Sequence, residues 1–294
     1  SEVLEIRLDL ARHLLFDQNQ RRLREELAEL VPLLNDRGLE DLRVEALILA
    51  GSIQNAGSRD ESLKAAKMAL EGSRVHHGED HWITLAQQAR VAAQIVGRSS
   101  QDDASTEAAP LELSEQALDQ LKMKWPTHHF EIARAHSQLA RVLASLGLWG
   151  RCEASCRSAI SVFERQMGEA SVYAMRDRVR LAQALRELEH PVESRAEALA
   201  VARIADVSSR DFGQLSATGF NVLVDLLHES DRELTASIAK VFVDAKMEAR
   251  GMNPSTRSWL RRQFRVNRNA ARVEVAEVFR DAVISFEMPE NLGL

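Results

Sequence analysis

Residues 128–168 read HHFEIARAHSQLARVLASLG (His128–Gly147) and then LWGRCEASCRSAISVFERQMG (Leu148–Gly168). Each half spaces its apolar residues as one face of a helix does, and each ends on a glycine. Sliding the chain along itself by 42 residues brings the pattern back. Leu139, Ala140 and Leu143 fall on Leu181, Ala182 and Leu185, while Cys152, Cys156 and Ala159 fall on Ser194, Ala198 and Val201. One period earlier, Ser114 and Ala117 take the places of Cys156 and Ala159. Small residues recurring at a fixed period mark helix pairs stacked side by side, because only small side chains let neighbouring helices approach closely. The expected fold class is therefore all-α, a right-handed α-α superhelix of six to seven antiparallel helix pairs.

Working outward, a first pair is expected over Glu2–Phe16 and Arg21–Asn35, ended by Gly38. In the second pair Leu49, Ala50 and Ile53 mark one helix and Gly57 the turn. Ser62, Ala66 and Ala69 mark the other helix, which ends near His77–Gly78. The third opens at GEDHWIT (Gly78–Thr84), with Asp80 as the expected cap, and its first helix stops at Gly97. The Ser/Asp/Thr-rich run from Arg98 to Pro110 reads as a loop inserted between that unit's two helices. After the pairs at 128–168 and 170–208, Pro191 suits a helix start. A looser pair follows over Phe212–His228 and Glu233–Arg250, richer in Val and Leu. The last begins at Asn253-Pro254-Ser255, and its second helix is expected over about Ala270–Phe286. The whole chain, 1–294, reads as one repeat domain, clearest over 40–205, with looser pairs at 2–38 and 212–288.

Composition agrees: Gly (13) and Pro (6) together are about half as frequent as in an average protein, and Tyr occurs once. A net charge of −6 favours solubility without naming a ligand. There is no apolar run of 18 residues and no secretory leader, so a cytoplasmic protein is expected. The chain starts at Ser1 rather than Met, as a piece of a longer polypeptide would. Cys152 and Cys156, four apart on one helical face, cannot form a disulfide without distorting the helix, and they lack the further ligands of a metal site. They read as small buried packing residues.

The small residues at the eighth, twentieth and twenty-seventh places (Ala140, Cys152, Ala159; Ala182, Ser194, Val201; Ala50, Ser62, Ala69) and the loop between units carry a resemblance. GEDHWIT has Gly78 and His81, PTHHFEIA has His129 at the same register, and GEASVYA keeps Gly168. On these residues the chain resembles the tetratricopeptide repeat family, in the 42-residue variety of kinesin light chains and many bacterial signalling proteins. Trp82 replaces that variety's loop proline. The resemblance implies a binding scaffold rather than one function.

No phosphate-binding, dinucleotide-binding, serine-hydrolase or zinc-protease motif occurs, so no enzyme activity and no cofactor are expected. His76, His77, His81, His128 and His129 cluster at unit junctions but lack a completed metal shell. The inner face of the array, lined by each unit's first helix, is expected to present Gln87, Gln94, Arg134, Ser137, Arg141, Arg176, Gln183, Arg186 and Asn221. Its arginines suit an acidic or C-terminal peptide, since the guanidinium fork donates two bonds to a carboxylate. Alternatively they are solvated and paired with Glu131 and Glu187. From Gly251 to Val273 six arginines (Arg257, Arg261, Arg262, Arg265, Arg268, Arg272) stand without an acidic residue, among Trp259 and Phe264. This stretch reads as a terminal cap burying Trp259, Leu260 and Phe264, or else as a surface for an acidic protein or nucleic acid. Three functions follow: a protein-interaction scaffold, the sensing portion of a larger signalling enzyme, or a nucleic-acid binder.

Overall fold

The computed structural model describes residues 2–16, 20–36, 38–39, 42–43, 45–47, 59–96, 104–127, 129–213, 215–250 and 254–287. Among them all regular secondary structure is helical. The chain divides into two units, residues 1–148 and 149–294.

The first unit contains α1 (Glu2–Phe16), α2 (Gln20–Asp36), α3 (Arg59–His77), α4 (Trp82–Val96), α5 (Ala104–Lys124) and α6 (Phe130–Ser145). Leu4, Leu8 and Ala11 of α1 bury against Leu27, Leu30 and Leu34 of α2. Leu49, Ala50, Ile53, Gly57 and Gly97 lie outside the described residues. Helix α4 packs against α3, α5 and α6, so each added helix covers the apolar face of an earlier one. Residues 104–110 of the loop expected from Arg98 to Pro110 are helical instead, since α5 starts at Ala104 and runs through Pro110, and residues 98–103 lie outside the described residues. Ala104, Ala108 and Ala109 favour helix, and Pro110 is buried; together these carry the helix past one lost backbone bond.

The second unit contains α7 (Trp149–Met167), α8 (Val172–Glu187), α9 (Pro191–Val207), α10 (Ser209–Phe212), α11 (Ala217–Leu227), α12 (Arg232–Arg250), α13 (Pro254–Asn269) and α14 (Val273–Glu287). Helix α8 packs on α7, α9 and α11. Arg178 ties the first three together, its Nε 2.8 Å from Glu164 and a second nitrogen on Glu197. Cys152, Cys156, Ala159, Ala182, Ala198 and Val201 have no exposed surface. Ser194 is also buried, and its hydroxyl donates to the Ala182 carbonyl at 2.7 Å. The twentieth place of this unit thus bonds the eighth. Both cysteines are buried and neither is in a disulfide. Pro191 sits in the first turn of α9 as expected.

The helix expected over Phe212–His228 starts later, at Ala217, after a separate short helix. Helix α10 ends at Phe212, and Ser216 starts α11 anew by accepting the Gly219 N–H at 3.0 Å. Here aromatic packing takes over from small residues. Phe220 and Phe242 stack with ring centres 4.2 Å apart, and Phe212, Phe279 and Trp259 close round them. The final helix starts at Val273 rather than Ala270, because Ala271 turns to φ 56° and lets the Arg272 N–H reach back to the Asn267 carbonyl at 3.0 Å. That six-to-one bond recurs at Leu148 to Leu143 and at His190 to Leu185, 42 residues apart.

Candidate functional site

Between α4 and α6 of the first unit lies a shallow depression lined by Ala86, Arg90, Glu131, Arg134, Ala135 and Gln138. Its volume is about 10 Å³, room for one water-sized group, and four of the six lining residues are polar or charged. Glu131 is nearly buried, with Oε1 accepting from Arg134 Nη1 at 3.0 Å. Its Oε2 is buried and takes no hydrogen bond among the described residues. Gln87, on the turn between Ala86 and Arg90, is 3% exposed, and its Oε1 is in the same state. Arg134 also lies 5.9 Å over the Phe130 ring, which holds the guanidinium in place. An unsatisfied buried acceptor costs about 1–3 kcal/mol, more for a carboxylate, so the depression suits a molecule that brings N–H donors to Glu131 and a carboxylate to Arg134.

Of the residues expected on an inner face, only Arg134 lines this depression. Gln87 is buried beneath the surface, and the Gln94 side chain lies outside the described residues. Ser137 is half-buried on α6. Arg141 is structural: its guanidinium donates to the Ala93 carbonyl, Nε at 3.0 Å, and satisfies one of the acceptors left over at the end of α4. Arg90 and Gln138 were not expected. Gln138 was within reach of the repeat register, since it is one helical turn from Arg134.

In the second unit Arg176 and Gln183 are half-buried on α8. Burial disfavours the Arg176 charge, and Tyr173 and Asp177 partly restore it. Arg186 is exposed and 3.4 Å from Glu187. Asn221 belongs to packing instead, its Nδ2 donating to Gln263 of α13 at 3.3 Å. Burial also works against the Arg180 charge, but the fully buried Asp177 together with Cys156 and Cys152 outweighs it and raises the pKa. These side chains do not gather into one site.

Two of the junction histidines, His81 and His129, are helix caps, while His76 and His77 lie in the last turn of α3. His81 Nδ1 accepts the Ile83 N–H at 3.4 Å and His129 Nδ1 accepts the Glu131 N–H at 3.3 Å, so His81 and not Asp80 starts α4. His81 stacks on His77 (4.6 Å) and Trp125 on His129 (4.3 Å), with Trp82 edge-on to Trp125 (6.5 Å). Burial, helped by His77 and Lys124, lowers the His81 pKa; a neutral ring is what an Nδ1 acceptor requires. His128 lies outside the described residues. No group of three potential metal ligands occurs among those described.

In the arginine-rich stretch Leu260 is fully buried, and Trp259 and Phe264 pack against the core. Arg261, Arg262, Arg265 and Arg268 are exposed and Arg257 half-buried. Arg272 departs from the expected patch. It is 7% exposed and bonded to Asn267 Oδ1 at 2.9 Å and to Asp225.

No protein family matches the sequence, and no curated protein matches it. Solved structures do. The apo form of RapI is 13% identical, over 97% of this chain and 97% of that one, with a TM-score of 0.58. BtubC (BKLC) from P. vanneervenii is 16% identical over 99% and 96%, with a TM-score of 0.50. The fold is an all-helical repeat. The apo form of the quorum sensor NprR from B. thuringiensis is 12% identical over 97% and 88%, again with a TM-score of 0.50. At such identities the likeness carries the fold alone. No helix of the described residues is long and apolar enough to cross a membrane.

Proposed function

We propose that this chain is a non-catalytic interaction scaffold whose α4–α6 face receives a peptide segment of a partner protein. The observation that carries the reading is the half-satisfied Glu131 beside Arg134. A peptide offers both complements at once: backbone or amine N–H groups for Glu131 Oε2, and an acidic side chain or terminal carboxylate for Arg134 and Arg90. The rigid helices hold these groups in place before binding, so little ordering entropy opposes capture. We take the repeat to be the 42-residue variety, which the recurrence of the same turn at Gly147 and Glu189 supports. The likeness to a quorum sensor favours, as a second reading, the sensing portion of a larger signalling protein.

The test is a random peptide library displayed on phage and selected against the full chain. Enriched peptides are expected to carry an acidic residue. Arg134→Gln should weaken them about tenfold or more, the worth of one charge-assisted hydrogen bond. Gln138→Ala, which leaves the Glu131–Arg134 pair intact, should weaken them several-fold. Peptides that bind both variants undiminished would remove the site from this face.

A further inference from the structure

The last two helices carry a second groove that the peptide site does not use. Its walls are Arg261, Phe264 and Arg265 of α13 and Arg280, Val283 and Ile284 of α14, around about 310 Å³. The spacing is the same on both helices, i, i+3 and i+4. Each therefore turns one face to the groove, with an apolar strip of Phe264, Val283 and Ile284 edged by arginines. Phe264 is shared between this strip and the core beneath it, whereas Ile284 is 48% exposed. The methylene stems of Arg261 and Arg265 lengthen the apolar floor while their charges stay in water. Arg280 is held by Glu277 (3.0 Å) and Asp281 (3.1 Å). Arg265 is exposed and has no ion-pair partner among the described residues, and residues 251–273 contain no acid.

A strip of exposed aliphatic and aromatic surface between two helices fits the apolar face of a third helix. The exposed positive charge of Arg265, on a chain of net charge −6, selects a helix with an acidic residue on its flank. We propose that this groove docks an amphipathic helix of a partner protein, presenting Leu, Ile or Phe one turn apart with Glu or Asp beside them. A nucleic acid would find the arginines but would have no use for Val283 and Ile284, which lie between them.

The experiment uses the full chain carrying Arg134→Gln, so that the proposed peptide site is already weakened. A helix-biased peptide library displayed on phage is selected against it. The expected winners have apolar residues at i and i+3 or i+4 with acidic neighbours. Their affinity should fall about tenfold or more with Arg265→Glu and with Ile284→Asp, and fall with rising salt. Both positions are exposed, and far-UV circular dichroism should be unchanged in both variants. Four results would overturn the proposal: no enrichment, enrichment of sequences without acidic residues, indifference to either substitution, or displacement of the peptide by a single-stranded oligonucleotide.

Discussion

Glu189 carries a backbone φ of 62° and Ala271 one of 56°, where Gly147 serves the equivalent turn at 70°. A side chain in this left-handed region costs about 1–2 kcal/mol, part of which glycine's extra freedom in the unfolded chain takes back. Glu189→Gly and Ala271→Gly should each stabilise the fold by about 0.5–1 kcal/mol, read as a higher urea midpoint with an unchanged slope. His136 behaves oppositely. It is half-buried with an Nδ1 that has no partner among the described residues. Burial, reinforced by Lys122, lowers its pKa from 6.5 to about 4. The unfolded chain therefore takes the proton first as pH falls. The stability His136 contributes is complete above about pH 6.5 and is lost on the way down to about pH 4. Melting temperatures measured across that window should fall less steeply for His136→Gln than for the parent chain. Arg141 and Arg272 show what residue type alone conceals. An arginine at a groove register and an arginine at the end of a basic run look alike in sequence. The carbonyl of Ala93 and the carboxylate of Asp225 that engage them lie 48 and 47 residues away.

At the scale of helices, packing depends on how close two backbones come. Ala140, Ala159, Ala182 and Ala198 have no exposed surface, and the Ser194 hydroxyl meets the Ala182 carbonyl across the α8–α9 contact. Ala182→Leu should cost about 1–3 kcal/mol through overpacking, whereas Ser194→Ala should cost about 1 kcal/mol for the lost bond. Both are checked by denaturant titration. Helix positions were legible because this packing imposes a 42-residue period on small residues, and the limits of α1 and α2 agree with the expectation to within a residue. Breaks set by single side chains were less so. Ser216 starts a helix expected from Phe212 several residues later, and the Ala-rich run 104–110 looked like loop because Ser105 and Thr106 sit in its first turn. The caps at His81 and His129 were legible as a recurring register of the loop, but their chemistry was not. Asp80 is the commoner capping residue, and only the stacked rings of His77 and Trp125 hold the imidazoles to the task.

Across the whole molecule, residues 1–148 and 149–294 build their cores differently. The first rests on aliphatic and alanine packing, and the second passes from small residues to a phenylalanine cluster towards its end. The repeat fold was therefore readable from spacing, while the site was readable only in part. Arg134 was marked by register, but the half-satisfied Glu131 beside it depends on how deeply α6 seats against α4, which no local pattern reports. In the proposed function Arg134 receives a ligand while Arg141, seven residues on, holds the fold. Calorimetric titration of a selected acidic peptide into the parent chain, Arg134→Gln and Arg141→Ala tests it directly. The predicted result is an affinity loss of about tenfold or more for Arg134→Gln. Arg141→Ala should keep its affinity and lose about 1 kcal/mol of stability. Equal affinity for Arg134→Gln and the parent chain, or a loss of binding confined to Arg141→Ala, would contradict it.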